Sequence, residues 1–213
     1  MKTHRLPLKR RPQPRAFTLI ELLVVITIIA ILAALTMGTF TFAQQSASRN
    51  RTTAGLSAIV NGLEIYKEKF GEYPAPVNTT STGSGSSAGL RIGGALMLYQ
   101  AITGDGFDNI AGADKAGSKG PPTSDGKVDD NERVNSIKGD LPKTMVLNTA
   151  DGYMLIDGFG HPYQYEKGGT ADAVNTTFDI WSFAQLDSAR AASGYSVATK
   201  KDEKATAVWI KNW

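Results

Sequence analysis

The chain reads as an α+β protein: a long N-terminal helix, transmembrane then amphipathic, packed on a small C-terminal antiparallel sheet. Three observations predict this. Phe17 to Leu35 is apolar except for Glu21 and the threonines. Residues Leu56, Ile59, Val60, Leu63 and Phe70 then recur every three or four positions, the period of one helix face. Finally, the last third holds short runs of β-branched and aromatic residues around turn signals.

As a helix rising about 1.5 Å per residue, Phe17 to Leu35 would cover about 28 Å, close to the hydrocarbon thickness of a bilayer. Lys2, Arg5, Lys9, Arg10, Arg11 and Arg15 precede it without an acid among them, and the next basic residue is Arg49. This asymmetry predicts a cytoplasmic N-terminus with the remainder outside. A cleaved secretory signal shares the basic start and apolar core, but this core is longer than usual and lacks a clean Ala-x-Ala site.

The net charge of +3 does not make the chain a nucleic-acid binder. Of 23 basic residues six precede Phe17, which leaves 17 against 20 acids and a net −3 for the rest. With no cysteine, disulfides, thiol nucleophiles and Cys-based zinc sites are excluded, and His4 and His161 are too few for a histidine-rich metal centre. His161 beside Asp157, with Ser182 downstream, suggests catalysis, but no strand-turn-helix elbow surrounds any serine. The expectation is a protein without enzymatic activity.

A carboxylate in hydrocarbon asks for a partner. If the chain is cut between Ala16 and Phe17, a new α-amino group appears four residues before Glu21. Glu21 of one subunit can then neutralise the Phe17 amine of a neighbour, and the pair sets a lateral register. A carboxylate that reaches back to the interface, or stays protonated, is the plainer alternative, and the residues alone leave both open.

The basic leader, a small residue and "FTLIELLVVITIIAILAAL" resemble the class III signal of type IV pilins and type II secretion pseudopilins. The resemblance implies a prepilin peptidase that cuts after Ala16 and methylates Phe17, and makes Glu21 the assembly carboxylate. The family usually has Gly where this chain has Ala16, which implies slower processing. "LSAIVNGLEIYKEKFGEYP" is similar to the second half of the major pseudopilin's long helix, with Tyr66, Gly71, Tyr73 and Pro74 in the matching phrase. "DGFGHPYQY", "FDIWSFAQLD" and the ending "NW" resemble its C-terminal phrases.

The expected segments are therefore a cleaved basic leader, 1–16; a transmembrane helix and assembly segment, 17–36; its amphipathic continuation, 37–73; a loop-rich insertion, 74–150, with a candidate short helix in "LRIGGALMLYQAI"; and the sheet, 151–213. Gly71 and Pro74 supply the helix stop, while Gly38 and Gly55 weaken it by about 1 kcal/mol each relative to Ala. Asp157-Gly158-Phe159-Gly160 is a hairpin turn signal, and "TFDIWSF" and "TAVWIKNW" are strand candidates.

Calcium is the one cofactor the sequence raises. "SDGKVDDNERV" matches the later half of an EF-hand-type loop through Asp125, Gly126, Val128, Asp129 and Glu132, but Pro121 and Thr123 stand where the first carboxylates belong. A solvated acidic turn explains the same residues, and a partial site could draw further ligands from Asp105 and Asp108 of "GDGFDN". The family carries calcium in the loop before the last strand, and there only Asp187 is well placed.

The resemblance implies a pseudopilus subunit of a type II secretion system in the bacterial inner membrane, with its C-terminal domain in the periplasm. Its partners would be further copies, other pseudopilins, the peptidase and the inner-membrane secretion platform. A type IV pilus subunit, or a membrane-anchored calcium-binding or adhesive module that never polymerises, are the alternatives.

Overall fold

The computed structural model describes residues 17–83, 89–113, 120–132, 141–185 and 194–213, without the side chains of 37–39. The chain divides into two compact units, Met1–Gln44 and Gln45–Trp213. Helix α1 (Leu19–Phe70) is followed by α2 (Gly93–Thr103), a 3-10 turn (Lys143–Met145), β1 (Val146–Thr149), β2 (Gly152–Leu155), β3 (Gln164–Lys167), β4 (Phe178–Ser182), α3 (Val197–Lys201) and β5 (Ile210–Lys211). A long helix with a small antiparallel sheet is the predicted α+β class.

In the first unit the apolar side chains have no core to enter. From Leu19 to Leu35 the large ones are all about half exposed or more, as an apolar helix surface is when lipid is its solvent. By length and composition this helix can cross a membrane.

In the second unit α1 presents Leu56, Ile59, Leu63 and Tyr66 to the main core, where they meet α2, Tyr163 and Tyr165, and Phe178 and Ile180 of β4. Each such side chain contributes about 1.5–3 kcal/mol when fully buried. The helix ends at Gly71, whose φ of +83° is the left-handed cap that glycine adopts without strain; its N–H donates to Lys67 O at 2.7 Å.

Gly55, which weakens the helix intrinsically, has a packing reason. A Cβ there would lie 2.5 Å from Tyr163 Oη, and Tyr163 needs that approach to donate to Thr52 O at 2.9 Å. Thr52 Oγ1 in turn donates to Ser48 O at 2.8 Å and accepts from Gly158 N at 2.9 Å. The turn after β2 is thus fastened to one turn of α1.

The hairpin expected around Asp157-Gly158-Phe159-Gly160 forms, with Asp157 N donating to His161 O at 2.8 Å and Tyr163 N to Leu155 O at 3.1 Å, but the strands on either side of it belong to different ladders. β2 pairs with β1, from Val146↔Leu155 to Thr149↔Gly152, whereas β3 pairs with β4 and β4 with β5. The Ile156↔Pro162 bridge joins the two ladders across the turn. β4 is buried at all five residues, because Phe178 and Ile180 face the main core while Trp181 enters a second cluster of Leu90, Phe183, Tyr195 and Trp209. Burial on both faces explains its imperfect alternation. The last strand is shorter than predicted: only Ile210 and Lys211 are in it. Asn212 continues the pairing, since its Oδ1 accepts from Ile180 N at 2.9 Å and its Nδ2 donates to Phe178 O at 3.1 Å.

Asp157 organises the turn. Its carboxylate accepts from Phe159 N at 2.8 Å, His161 N at 2.9 Å and the Ser182 hydroxyl. Burial nevertheless holds its pKa above the ordinary carboxyl range, against the lowering effect of those bonds.

Two predictions follow from this turn. Gly158→Ala would set a Cβ against the Ser48 carbonyl of α1, and a backbone atom of a helix cannot step aside; the expected loss is about 1–3 kcal/mol in urea unfolding of the detergent-solubilised chain. For Asp157, the folded state binds its proton more tightly than the unfolded state, so its contribution to stability increases as pH falls through the folded pKa and levels off below the unfolded one. Asp157→Asn retains the shape and an acceptor, and should flatten that part of the stability profile from the ordinary carboxyl range up to the raised folded pKa.

Candidate functional site

At the start of α1, Thr18 and Glu21 form a reciprocal cap. Glu21 N donates to Thr18 Oγ1 at 3.3 Å, while Glu21 Oε2 accepts from Thr18 N at 2.9 Å and from Thr18 Oγ1 at 2.8 Å. This is a capping box, which satisfies helix-start amides that have no partner within the helix. The carboxylate that asked for a neighbour therefore has an internal partner in the single subunit. The signal is legible in the sequence as Thr18-Leu19-Ile20-Glu21, a Thr-x-x-Glu ahead of an apolar run. Oε1 takes no part in the cap. Phe17 is 81% exposed; Ala16, the other residue flanking the expected cut, lies outside the described residues. Further along, Thr27 Oγ1 donates to Leu23 O at 2.8 Å and Thr36 Oγ1 to Ala33 O at 2.9 Å, so these hydroxyls need no water.

The acids of "SDGKVDDNERV" are arranged around backbone amides. Glu132, 1% exposed, accepts from Gly106 N at 3.3 Å through Oε1 and from Asp129 N at 3.0 Å through Oε2. Asp125 is exposed, and its Oδ1 accepts from Lys127 N at 2.8 Å. The organising carboxylate is one the motif did not single out as its centre. Asp105 is fully buried and accepts from Asp125 N at 3.0 Å, Gly126 N at 2.9 Å and Tyr99 Oη at 2.6 Å. Among the described residues no three His, Asp or Glu side chains converge to hold a metal. Asp125 and Glu132 are thus engaged with backbone amides around their loop. Asp187 lies outside the described residues.

In the Asp157, His161 and Ser182 group the hydroxyl and the imidazole are not joined. Ser182 donates to Asp157 rather than to His161, and its oxygen accepts from Ala184 N at 2.9 Å. A serine hydroxyl that is buried and bonded to a carboxylate secures β4 to the turn, and it does not meet the imidazole.

Residues 11–37 match the family model described as the prokaryotic N-terminal methylation motif. No curated protein and no solved structure matches the chain. The matched motif is the prepilin signal, which implies processing by a prepilin peptidase and assembly into a pilin-type filament. With an α+β fold built on a long N-terminal helix, it supports the type IV pilin superfamily for this chain.

Proposed function

We propose that the chain is a structural subunit of a type II secretion pseudopilus. The observation that carries the filament reading is the methylation motif over residues 11–37, placed on a helix able to span a bilayer. The secretion reading rests on the "DGFGHPYQY" and "FDIWSFAQLD" phrases and on the absence of the cysteines with which many pilins close a loop. In this reading prepilin peptidase cuts after Ala16 and methylates Phe17. The mature chain rests in the inner membrane through residues 17–36 with the C-terminal domain in the periplasm. Other copies, other pseudopilins and the secretion platform then draw it into the filament. The work is mechanical, and the subunit has no catalytic role.

Moving an apolar helix from lipid to neighbouring apolar helices gains little hydrophobic free energy, because lipid tails are as apolar as leucine. Charge supplies the discrimination. The freed Phe17 amine of one copy and Glu21 of the next are opposite charges in a medium of low dielectric, where their attraction far exceeds that in water. Thr18 holds Glu21 by one carboxylate oxygen, and the other is available to the amine.

Two measurements test this. Mass spectrometry of membrane-extracted protein from cells with an active prepilin peptidase should find a start at Phe17 carrying one methyl group; an intact Met1 start removes the processing claim. Glu21→Gln separates the two uses of the side chain, since a capping box accepts Gln as well as Glu. The variant should insert and fold normally yet yield sheared filaments reduced about tenfold or more, the effect of losing the charge pair. Undiminished filaments from Glu21→Gln would reject the charge-pair mechanism. Retention of cargo in the periplasm on deletion of the gene supports the secretion assignment, and loss of surface pili or motility with normal secretion supports a pilus subunit instead.

A further inference from the structure

The connection between β4 and β5 contains an ammonium group with no access to water. Lys200, on α3, is 0% exposed, and so is Asp179 on β4. Lys200 Nζ lies 3.2 Å from Asp179 Oδ2, donates to Asp172 O at 2.8 Å and sits 4.4 Å from the centre of the Trp181 ring. Asp179 also accepts from Val174 N at 2.7 Å and from Asn175 N at 2.9 Å. One cation and one anion therefore fasten three segments: the β3–β4 connection through Asp172, Val174 and Asn175, strand β4, and α3. The helix is set for this by Ser196, whose side chain caps its N-terminus. Trp213 adds a bond from Nε1 to Lys200 O at 3.1 Å.

A carboxylate oxygen and a main-chain carbonyl oxygen around one positive centre are the donors that a hard metal ion takes in a loop. Here the positive centre is covalently part of the chain. A second cation brought to the same oxygens would meet an ammonium that cannot withdraw into solvent, at a separation where like charges in a poorly screened interior repel strongly. The nearby acid is also committed: Asp202 Oδ1 accepts from Lys204 N at 2.9 Å and Ala205 N at 3.3 Å. From Lys200 to Lys204 three lysines outnumber the two acids, Asp202 and Glu203.

We infer that Lys200 Nζ is the built-in cation of the β4–β5 connection: it takes the role that a calcium ion would have in that loop, so the C-terminal unit folds independently of divalent metal. The inference does not depend on whether the chain polymerises. It also gives the aromatic cluster around Trp181 a second purpose, since a ring face stabilises a desolvated ammonium more than a hydrated one.

The test uses the full-length chain in detergent, with thermal unfolding followed by tryptophan fluorescence. Of the protein's three tryptophans, Trp181 faces the ammonium, Trp213 bonds to Lys200 O and Trp209 stacks on Trp181, so the signal reports on the clamp and the cluster beside it. The midpoint of the parent chain should be the same with a chelator as with millimolar calcium. Lys200→Ala should lower it by roughly 10 °C, because Asp179 is then buried without a counter-charge. Added methylammonium or calcium should recover part of that loss in the variant while leaving the parent unchanged. A parent midpoint that falls with chelator or rises with calcium overturns the inference, as does a Lys200→Ala variant that melts with the parent. If the variant does not fold, the parent's response to chelator and calcium still decides.

Discussion

The burial of Leu56, Ile59, Leu63 and Tyr66 of α1 is the constraint on which the C-terminal unit depends. Neither sheet is large enough to stand alone: one has two strands, and the other three, of which the last is two residues long. Small sheets of this kind need a helix to cover an apolar face. α1 covers part of the core and α2, buried along its whole length, fills the rest. The glycines follow from this packing. Gly62 accommodates Ile102 of α2, and Gly94 accommodates Tyr165 of β3. Two helices and a strand approach closely because side chains have been removed where they would meet.

Carboxylates do a second kind of work throughout the molecule. Glu21 receives an amide at the start of α1, Asp105 and Glu132 receive amides in the loop between α2 and β1, Asp157 receives two in the turn after β2, and Asp179 two more before β4. Each replaces a backbone partner that the irregular chain cannot supply, and a charged acceptor makes such bonds stronger than neutral ones. A loop-rich protein without cysteines has few other means of fixing its connections.

That economy also explains what could and could not be read from the sequence. The apolar span, the helix stop at Gly71 and the helical stripe follow from local rules of period and conformation, and they were legible. So was Thr18-x-x-Glu21, a capping-box spacing at the start of an apolar run. The acids of "SDGKVDDNERV" were legible as acids but not as to purpose, since metal binding and amide capture draw on the same residue types at similar spacings. Their actual centre, Asp105, lies twenty residues upstream of Asp125 and only the fold joins them. β1 was missed because "VLNT" is four residues long and half polar, too short for alternation to show. Lys200 was the least legible. In "ATKKDEK" it looks like any solvated lysine, and its burial depends on Asp179, Asp172 and Trp181, none of them close in sequence.

The two units solve opposite problems with the same helix. In Gln45–Trp213 the apolar stripe has permanent partners within the chain, and the fold closes on itself. In the other unit the apolar side chains stay exposed around the described helix, so the surroundings must supply the partner. Lipid and the flank of a neighbouring helix are nearly equivalent for that purpose. Such a segment can therefore pass from bilayer to polymer with little change in apolar solvation, and the polar groups near its start carry the difference between the two states. In the proposed filament Thr18, which bonds one oxygen of Glu21 within the single chain, would reduce that difference. A carboxylate wholly without a partner would be costly to hold in the membrane, and one fully satisfied internally would have nothing to offer a neighbour. The arrangement at Glu21, with one oxygen in the cap, lies between these limits.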